Sequence, residues 1–479
     1  MSYLLGIDQG TSGTKVVATD PDLTPLAVSS RMVASTHGLD GSVEQDPHQV
    51  LDSVVSAVVE IFDRVGPKAT LAGFDHQGET VMAWDRETLE PLTPAIVWSD
   101  RRADAIVANL TRSGHAPLVA ELSGNPLDAY FCAAKYAWLM VANPRLASMG
   151  SRVALGTLDV WLLRQLGIDE ATDLGTASRT QLTTLGGSLW DEALLEVFGL
   201  PETCLPRIVS SIGHRGELKT TKWPSDIPLT AVTVDQPAAL VGNGCIDPGA
   251  TKVTFGTGAF VLTNAGRRRP AVTGRIVTSV GWSDHEGPVY VHDGGVFAVG
   301  SGLDWLGGLG IDSGPEAQRR LSGRPPARVK VIPALYGLGA PHWDRTARAA
   351  ILDLDASTTA DDILQAYLDA VAFRVGEIVD EVRGILGGQF GLMRVDGGLS
   401  RTRYLLQRQA DVLGMPLGVG TSPEATAIGI AALAGSWDGT VEDAAIRALG
   451  QSRDIIEPRD VEATQAAFRE WQDVIRARI

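Results

Sequence analysis

The sequence predicts a protein of mixed α and β structure that folds into two domains. At 479 residues the chain is too long for a single hydrophobic core, and chains of this length divide into domains. Strand-like runs alternate with segments of helical periodicity along most of the sequence. A strand, a turn rich in Gly and Thr, and a second strand occur twice, in residues 3–18 and 251–263. We expect the domain boundary near residue 245, which gives domains of residues 1–245 and 246–479.

The first half begins with a predicted hairpin and continues with alternating elements. Two apolar runs, Tyr3–Ile7 and Val16–Ala18, flank the first turn in a pattern typical of a β-hairpin. The apolar spacing within Val50–Val65 predicts a helix. The other elements predicted here are strands at Thr70–Phe74, Val81–Trp84 and Thr230–Val234, and helices at Ala134–Val141, Val153–Leu166 and Pro237–Gly242.

The second half repeats the opening hairpin. Two predicted strands, Thr251–Phe255 and Ala259–Thr263, flank the turn Gly256-Thr257-Gly258. The rest of this half is predicted to contain a long helix near Asp361–Leu386, a strand and turn within Leu392–Ser400, a helix at Arg403–Leu413 and a surface helix at Val461–Ile479.

Charge and cysteine content exclude several classes of protein. The net charge of −16 argues against a nucleic-acid partner, which requires a basic face. The three cysteines are too few for a disulfide framework, so we expect a reducing compartment. No apolar run reaches the roughly 18 residues of a membrane span, and the N-terminus has no signal-peptide pattern. We therefore expect a cytoplasmic protein without a membrane partner.

The first turn has the chemistry of a phosphate site. Thr11, Ser12 and Gly13 offer backbone N–H groups and small hydroxyls, and Lys15 stands at the edge of the turn. A concave set of such donors suits phosphate oxygens. Asp8 lies at the rim, where a carboxylate can hold Mg²⁺ through water. The alternative is an ordinary Gly-rich hairpin with exposed polar residues.

Five short stretches stand in order along the chain: Asp8–Lys15, Tyr130–Trp138, Val234–Gln236, Phe255–Gly258 and Asp396–Ser400. Together they resemble the motifs of the FGGY family of sugar and polyol kinases, within the actin, hexokinase and Hsp70 ATPase superfamily. The resemblance implies a two-domain, actin-like (ribonuclease H-like) α/β fold with its active site in the interdomain cleft. Four further stretches resemble glycerol kinases within the family: Ala95–Arg102, Pro126–Phe131, Thr172–Thr180 and Gly337–Asp344. The motifs are Asp8–Lys15 (first phosphate loop), Tyr130–Trp138 (a family signature, with Cys132 at a position usually Ser, Thr or Pro), Val234–Gln236 (catalytic Asp), Phe255–Gly258 (second phosphate loop) and Asp396–Ser400 (adenosine motif).

The resemblance implies ATP and Mg²⁺ as cofactors and assigns roles to individual residues. Asp235 becomes the general base that accepts a proton from the substrate hydroxyl. From the residues alone, Asp235 has a second interpretation as the cap of the helix that follows. The implied nucleotide-binding residues are Thr11, Ser12, Gly13, Lys15, Thr257, Gly258, Gly300, Gly397, Gly398 and Thr402, with Asp8 on the metal side. Thr402 replaces an Asn of glycerol kinases, and Asp304 replaces a Gln.

The implied substrate is a small polyol or sugar. Its pocket would be formed by Gln77, Glu79, Trp98, Tyr130, Asp235 and Gln236, which combine polar groups for hydroxyls with an apolar wall. Glycerol kinases carry an Arg where this chain has Gly78, and that Arg contacts the substrate hydroxyls. Gly78 is expected to leave room for a longer polyol or a sugar.

Two alternatives stay open at this point. One keeps kinase chemistry with a ketopentose such as xylulose as substrate, and Gly78 is compatible with it. The other is a catalytically silent sugar or nucleotide sensor, because a fold does not guarantee activity. The presence of both Asp8 and Asp235 argues against the sensor. We also expect that the protein can form a homo-oligomer, because members of the family that it resembles commonly form dimers or tetramers.

Overall fold

The computed structural model describes residues 2–388, 390–420, 422–452 and 454–478. The strands of the first half are β1 (Tyr3–Gly10), β2 (Gly13–Thr19), β3 (Pro25–Met32), β4 (Thr36–His37), β5 (Val43–Gln45), β6 (Ala69–His76), β7 (Val81–Asp85), β8 (Ala95–Ile96), β9 (Val153–Thr157), β10 (Ala171–Asp173), β11 (Arg207–Val209), β12 (Ile212–Leu218) and β13 (Ile227–Val234). The helices of this half are α1 (Pro47–Val65), α2 (Asp104–Arg112), α3 (Ala116–Ser123), α4 (Cys132–Ala142), α5 (Pro144–Ser148), α6 (Leu158–Gln165), α7 (Leu174–Ser178), α8 (Glu192–Phe198) and α9 (Asp235–Gly242), with 3-10 turns at Gly150–Arg152 and Glu202–Cys204.

The second half has fewer strands and longer helices. Its strands are β14 (Thr251–Phe255), β15 (Ala259–Gly266), β16 (Val277–Asp284), β17 (Gly287–Val296), β18 (Lys330–Ile332), β19 (Ala350–Leu352), β20 (Met393–Asp396), β21 (Leu417–Val419) and β22 (Ile455–Ile456). Its helices are α10 (Gly300–Gly308), α11 (Pro315–Arg320), α12 (Ala360–Leu386), α13 (Arg403–Leu413), α14 (Ala425–Ser436), α15 (Asp443–Leu449) and α16 (Val461–Arg476), with a 3-10 turn at Gly398–Arg401.

The central sheets of the two halves share one topology. In the first, β1 pairs antiparallel with β2 and parallel with β6, which pairs parallel with β13. In the second, β14 pairs antiparallel with β15 and parallel with β20, which pairs parallel with β21. The orders β3-β2-β1-β6-β13 and β17-β15-β14-β20-β21 therefore correspond strand by strand. The repeated hairpin predicted from the sequence is the centre of this repeated sheet.

Local signals explain where the main helices begin and end. The α1 helix follows Asp46, whose side chain accepts a hydrogen bond from the His48 N–H, and Pro47 occupies its first turn. The α12 helix starts with a capping box between Thr359 and Asp362 and stops at Gly387. In the described residues no helix combines the length and the apolar composition needed to cross a membrane.

Each half has its own hydrophobic core, and a third cluster joins them. One core lies between the first sheet, α1 and α6, and another between the second sheet, α12, α13 and α16. The third contains residues of α9 and α14, together with side chains from both sheets such as Leu4 and Leu262. The pair α9 and α14 therefore connects the two sheets, and α9 begins at Asp235.

The sequence prediction is wrong at one element. The segment Val153–Leu166 was expected to be a single helix, but its first five residues form β9, which pairs antiparallel with β7. Residues 153–163 are all buried and mostly apolar, and an apolar run of this kind fits a buried strand as well as a helix. Pairing with β7 decided the outcome. The predicted C-terminal helix corresponds to α16, while its last predicted residue, Ile479, lies outside the described residues.

Candidate active site

Three carboxylates lie at one edge of the first sheet. Asp8 on β1 is paired in register with Asp75 on β6. Asp235 comes directly after β13, whose last residue, Val234, is in register with His76. Because β1, β6 and β13 are parallel, their carboxyl ends meet at the same edge, which is where ligands bind in α/β sheets. The sequence motifs predicted Asp8 and Asp235 at this edge, but not Asp75.

Burial perturbs the pKa of all three carboxyl groups. Burial raises the pKa of Asp8 to about 7, and the negative charge of Asp235 adds to the effect. Burial and then the charge of Asp8 raise the pKa of Asp75 well above its ordinary value. Both oxygens of the Asp75 carboxyl group are buried, and burial together with the Asp8 charge favours its protonated form. This edge holds more negative charge than its protein neighbours neutralise.

Asp235 occupies the first turn of α9 without being its cap. The N-cap residue is Val234, which has no side-chain capping bond. The cap interpretation of Asp235 is therefore wrong. Burial raises the pKa of Asp235, while the positive charge of Lys252 opposes the rise. The carboxylate is thus not used as a helix cap.

Lys252 and Gln236 form the side of the site next to Asp235. The Lys252 ammonium is buried and donates to the Gln236 Oε1 and the Thr254 Oγ1, each over 2.7 Å. Lys252 lies on β14 of the second half, whereas Gln236 lies on α9. The contact therefore joins β14 of the second sheet to the first turn of α9, which also carries Asp235.

The first turn contacts both the predicted pocket and the second half of the chain. The Trp98 indole N–H donates to the Thr11 hydroxyl over 3.0 Å. The Lys15 ammonium donates to the Pro423 carbonyl oxygen over 3.0 Å and lies 3.9 Å from the Glu424 carboxylate. Lys15 remains partly exposed. Its side chain therefore links the first hairpin to the segment that leads into α14.

Aromatic rings from both halves form a wall beside the first turn. Trp98 packs edge to face against Tyr130, with ring centroids 5.8 Å apart. Trp98 also packs edge to face against Phe260 on β15, with centroids 6.4 Å apart. Sequence reasoning predicted Trp98 and Tyr130 and missed Phe260, although Phe260 follows the second phosphate loop by two residues.

Glu79 is held in an unusual backbone conformation by a buried arginine. Its φ of 55° is a left-handed value that non-glycine residues rarely adopt and that clusters at functional sites. The Arg179 Nε donates to the Glu79 carboxylate, and the Arg179 Nη2 donates to the Tyr130 hydroxyl over 3.2 Å. Burial raises the pKa of Glu79, and the Arg179 charge opposes the rise. Arg179 thereby connects Glu79 and Tyr130, two residues predicted to line the polyol pocket.

Tyr130 and Gln77 are fixed by further buried contacts. The buried Lys135 ammonium donates to the Tyr130 carbonyl oxygen over 2.6 Å, which orders the loop that carries the ring. The Gln77 side chain donates to the Gln45 Oε1 over 2.8 Å and accepts from the Thr80 hydroxyl over 3.1 Å. Both ends of the Gln77 amide are engaged inside the protein, so Gln77 supports the pocket loop.

The predicted nucleotide residues of the second half meet around the second hairpin. The Gly300 N–H, at the start of α10, donates to the Gly256 carbonyl oxygen over 3.0 Å. A Cβ on Gly300 would lie 2.8 Å from that oxygen, and a Cβ on Gly397 would lie 2.4 Å from the Phe255 oxygen. Only glycine permits such close backbone contact at these two positions. Thr257 at the tip of the turn is exposed.

The adenosine motif continues from this turn into α13. Gly398 starts the 3-10 turn and has open space where a Cβ would stand. Thr402 is the N-cap residue of α13 and is 7% exposed. The Gly258 carbonyl accepts the Gly256 N–H over 2.8 Å, which closes the hairpin turn opposite. The structure therefore brings these second-half residues together.

The expected space at Gly78 is partly filled. A Cβ on Gly78 would lie 2.7 Å from the Val234 Cγ1, closer than real Cβ contacts come. Val234 is buried at 2% exposure and directly precedes Asp235. The prediction that Gly78 simply leaves room is therefore corrected, because a valine side chain occupies the volume beside its Cα. Sequence reasoning did not connect the two positions, since they are 156 residues apart.

Five residues of this region were missed as site residues. They are Asp75, Arg179, Lys252, Phe260 and Asp293. Arg179 had a usable signal because it lies within the Thr172–Thr180 stretch that resembles glycerol kinases. Asp293 had none, because it lies on a strand outside every recognised motif and meets the site only through tertiary contact.

Similarity to characterised proteins covers the whole chain. The models for the FGGY family of carbohydrate kinases match its N-terminal domain to residues 3–242 and its C-terminal domain to residues 251–437. A glycerol kinase from Thermus brockianus is 37% identical over 485 residues, which cover 99% of this chain and 98% of the relative.

Solved structures are also similar to this chain over its whole length. A Plasmodium falciparum glycerol kinase solved with ADP superimposes with a TM-score of 0.92 and 28% identity, covering 100% of this chain and 98% of its own. A xylulose kinase from Lactobacillus acidophilus, at 20% identity and a TM-score of 0.89, covers 100% of this chain and 98% of its own, and shows the shared fold alone. The expected two-domain α/β fold is confirmed. The chain belongs to the FGGY family of carbohydrate kinases.

Proposed function

We propose that this protein transfers the γ-phosphoryl group of ATP to a hydroxyl of a small polyol, with Asp235 as the general base. The observation that carries the proposal is the position of the Asp235 carboxylate. It lies at the sheet edge beside Asp8, has no capping role, and is in a site where the charge of Lys252 favours its ionised form. The full-length similarity to glycerol kinases supports a polyol as the acceptor.

In the proposed reaction the polyol hydroxyl attacks the γ-phosphorus in line while Asp235 accepts its proton. Phosphoryl transfer depends mostly on positioning and electrostatic stabilisation, so the protein's main tasks are to orient the hydroxyl and hold the phosphates. Glu79 and the Tyr130 hydroxyl would bind further polyol hydroxyls. Trp98 and Phe260 would cover the carbon chain and exclude water, which would otherwise accept the phosphoryl group.

The phosphates would be held between the two hairpin turns. Thr11, Ser12, Gly13 and Lys15 would bind from the first half, with Thr257 and Gly258 opposite. Gly300, Gly397, Gly398 and Thr402 would receive the adenosine. Lys15 would have to leave the Pro423 carbonyl to reach a phosphate. Its partial exposure leaves the side chain able to move.

The site also fits Mg²⁺. Burial, together with the negative charge of Asp235, raises the pKa of Asp8 to about 7, and a divalent cation would offset both effects. Within the described ranges no group of three or more His, Cys, Asp or Glu side chains is arranged to ligate a metal. Mg²⁺ commonly uses one or two carboxylates and completes its shell with water and substrate phosphates. Asp8 would hold the ion in that way, and the ion would neutralise charge on the phosphates.

We also propose a domain boundary near residue 245, a cytoplasmic location and a homo-oligomeric state. The boundary is supported by the interval between the two matched domains, residues 242 to 251. ATP as the phosphoryl donor fits a cytoplasmic enzyme.

A ketopentose kinase is the second candidate, and the observation that favours it is that Gly78 lacks the arginine side chain with which glycerol kinases contact substrate hydroxyls. The test is an ADP-release assay with Mg-ATP over glycerol, erythritol, threitol, pentitols and ketopentoses, with Asp235→Asn as the control for contaminating kinases. Phosphorylation of a polyol at the highest kcat/KM supports the proposal. If a ketopentose has the highest kcat/KM, the proposed substrate is wrong and the protein is a ketopentose kinase. If ligands bind without turnover, the protein is a sensor.

A further inference from the structure

Arg179 uses all three guanidinium nitrogens on three different side chains. Its Nε donates to Glu79, its Nη2 donates to Tyr130 over 3.2 Å, and its Nη1 donates to the Asp293 Oδ2 over 3.0 Å. Arg179 is 2% exposed and Asp293 is 4% exposed. Glu79, Tyr130 and Arg179 come from the first half of the chain, whereas Asp293 lies on β17 of the second. The buried network therefore crosses between the halves.

The contact between Arg179 and Asp293 lies within a packed interface between the two halves. The α7 helix, which ends one residue before Arg179, contacts β16 of the second sheet. The Val280 N–H donates to the Ser178 hydroxyl over 3.0 Å, and the Thr233 hydroxyl donates to the Gly281 carbonyl oxygen over 2.7 Å. Asp293 thus contacts Arg179 in a region where other hydrogen bonds already link the two halves of the chain.

The geometry of the guanidinium makes the three contacts dependent on one another. Its donors form a rigid planar fork, so the Asp293 contact limits the orientations available to the other two nitrogens. Glu79 has a left-handed backbone conformation that persists only when surrounding contacts stabilise it. Removing the Asp293 charge would leave Arg179 free to rotate and would loosen both Glu79 and Tyr130.

We propose that Asp293 is a positioning residue that acts through Arg179 to fix Glu79 and Tyr130 in the polyol pocket. Polyol affinity then depends on the alignment of the two domains, because the residue that orients the pocket is supplied by the other domain. The inference rests on the proposed function to the extent that Glu79 and Tyr130 line that pocket.

The test compares Asp293→Asn, Asp293→Glu and a matched control, Glu377→Gln. The control breaks another buried ion pair, between Arg374 and Glu377, which lies wholly within the second half. Asp293→Asn should raise the polyol KM about tenfold or more, the scale of one charge-assisted hydrogen bond, while the ATP KM stays within about twofold. Asp293→Glu should recover most of the polyol affinity. Glu377→Gln should lower Tm without changing the polyol KM.

A second measurement does not depend on turnover. Hydrogen exchange of the free protein should be faster in Asp293→Asn around Glu79 and residues 174–180, and unchanged there in Glu377→Gln. An unchanged polyol KM, or equal increases in both KM values, would overturn the inference. If the wild type phosphorylates no polyol, the proposed function fails by itself, and the exchange result still decides whether Asp293 holds Glu79.

Discussion

The Trp98 indole N–H donates a hydrogen bond to the Thr11 hydroxyl over 3.0 Å, which joins the aromatic wall to the first hairpin turn. The same indole packs edge to face on Tyr130 and Phe260. A polyol against this wall and a phosphate at this turn would therefore be positioned relative to each other by one side chain.

Trp98→Phe should separate the two roles of this residue. Phenylalanine keeps an aromatic wall but lacks the N–H, and a neutral hydrogen bond contributes about 0.5–1.5 kcal/mol. We expect a rise of about two- to tenfold in the ATP KM and a smaller rise in the polyol KM, measured by steady-state kinetics. Thr11→Val removes the same bond from the other side and should reproduce the ATP effect. A change in the polyol KM alone would contradict the linkage.

Asp235→Asn should keep the fold and the nucleotide affinity while lowering kcat by about 100-fold or more, the usual scale for loss of a general base. Asparagine is close in shape but cannot accept the hydroxyl proton. Because Asp235 is not the cap of α9, the substitution should not lower Tm through loss of a helix cap. Turnover close to that of the wild type would remove Asp235 from the mechanism.

The double variant Thr11→Val with Lys15→Ala should lose most of the rise in Tm that Mg-ATP produces in the wild type, because ligand bound only to the native state stabilises it by mass action. Glu424→Gln is the matched control. It removes the partner 3.9 Å from Lys15 without removing a proposed phosphate donor. If both variants keep the full thermal shift, the first hairpin is not the phosphate site.

Gly78→Arg should destabilise the protein by about 1–3 kcal/mol, the usual cost of overpacking a buried site. The cause is the Val234 Cγ1, 2.7 Å from the new Cβ. Adding Val234→Ala removes Cγ1 and leaves the Val234 Cβ position, 3.8 Å away. We expect the double variant to recover Tm and to move the kcat/KM ratio toward glycerol over four- and five-carbon polyols. A glycerol preference already present in the wild type would refute the specificity argument.

His292 should make the protein less stable in acid. Burial lowers its pKa to about 4 from 6.5, so between these pH values the unfolded chain binds a proton that the folded chain does not. Its contribution to stability is complete above pH 6.5 and is progressively lost down to about pH 4, by up to about 3 kcal/mol. His292→Asn should flatten Tm between pH 7 and pH 4.5, whereas exposed His285→Asn should not. Parallel pH curves for wild type and His292→Asn would contradict this.

The sequence by itself determined the repeated hairpins and the order of most elements. Local signals suffice there: the apolar run Tyr3–Ile7 forms most of β1, and the helical periodicity of residues 403–413 forms α13 at the predicted bounds. The motifs also predicted the position of Asp8 and Asp235, because both lie next to strand ends that the pattern makes visible.

Only the tertiary structure decided how separate segments complete the pocket. Residues 153–157 became a strand because β7 was available for pairing, and Gly78 lost its expected space because Val234 packs beside it. Arg179 gained its role from Glu79, Tyr130 and Asp293, which lie 100, 49 and 114 residues away along the chain. Such contacts depend on which side chains the packed sheets bring together, and no local periodicity or propensity carries that information.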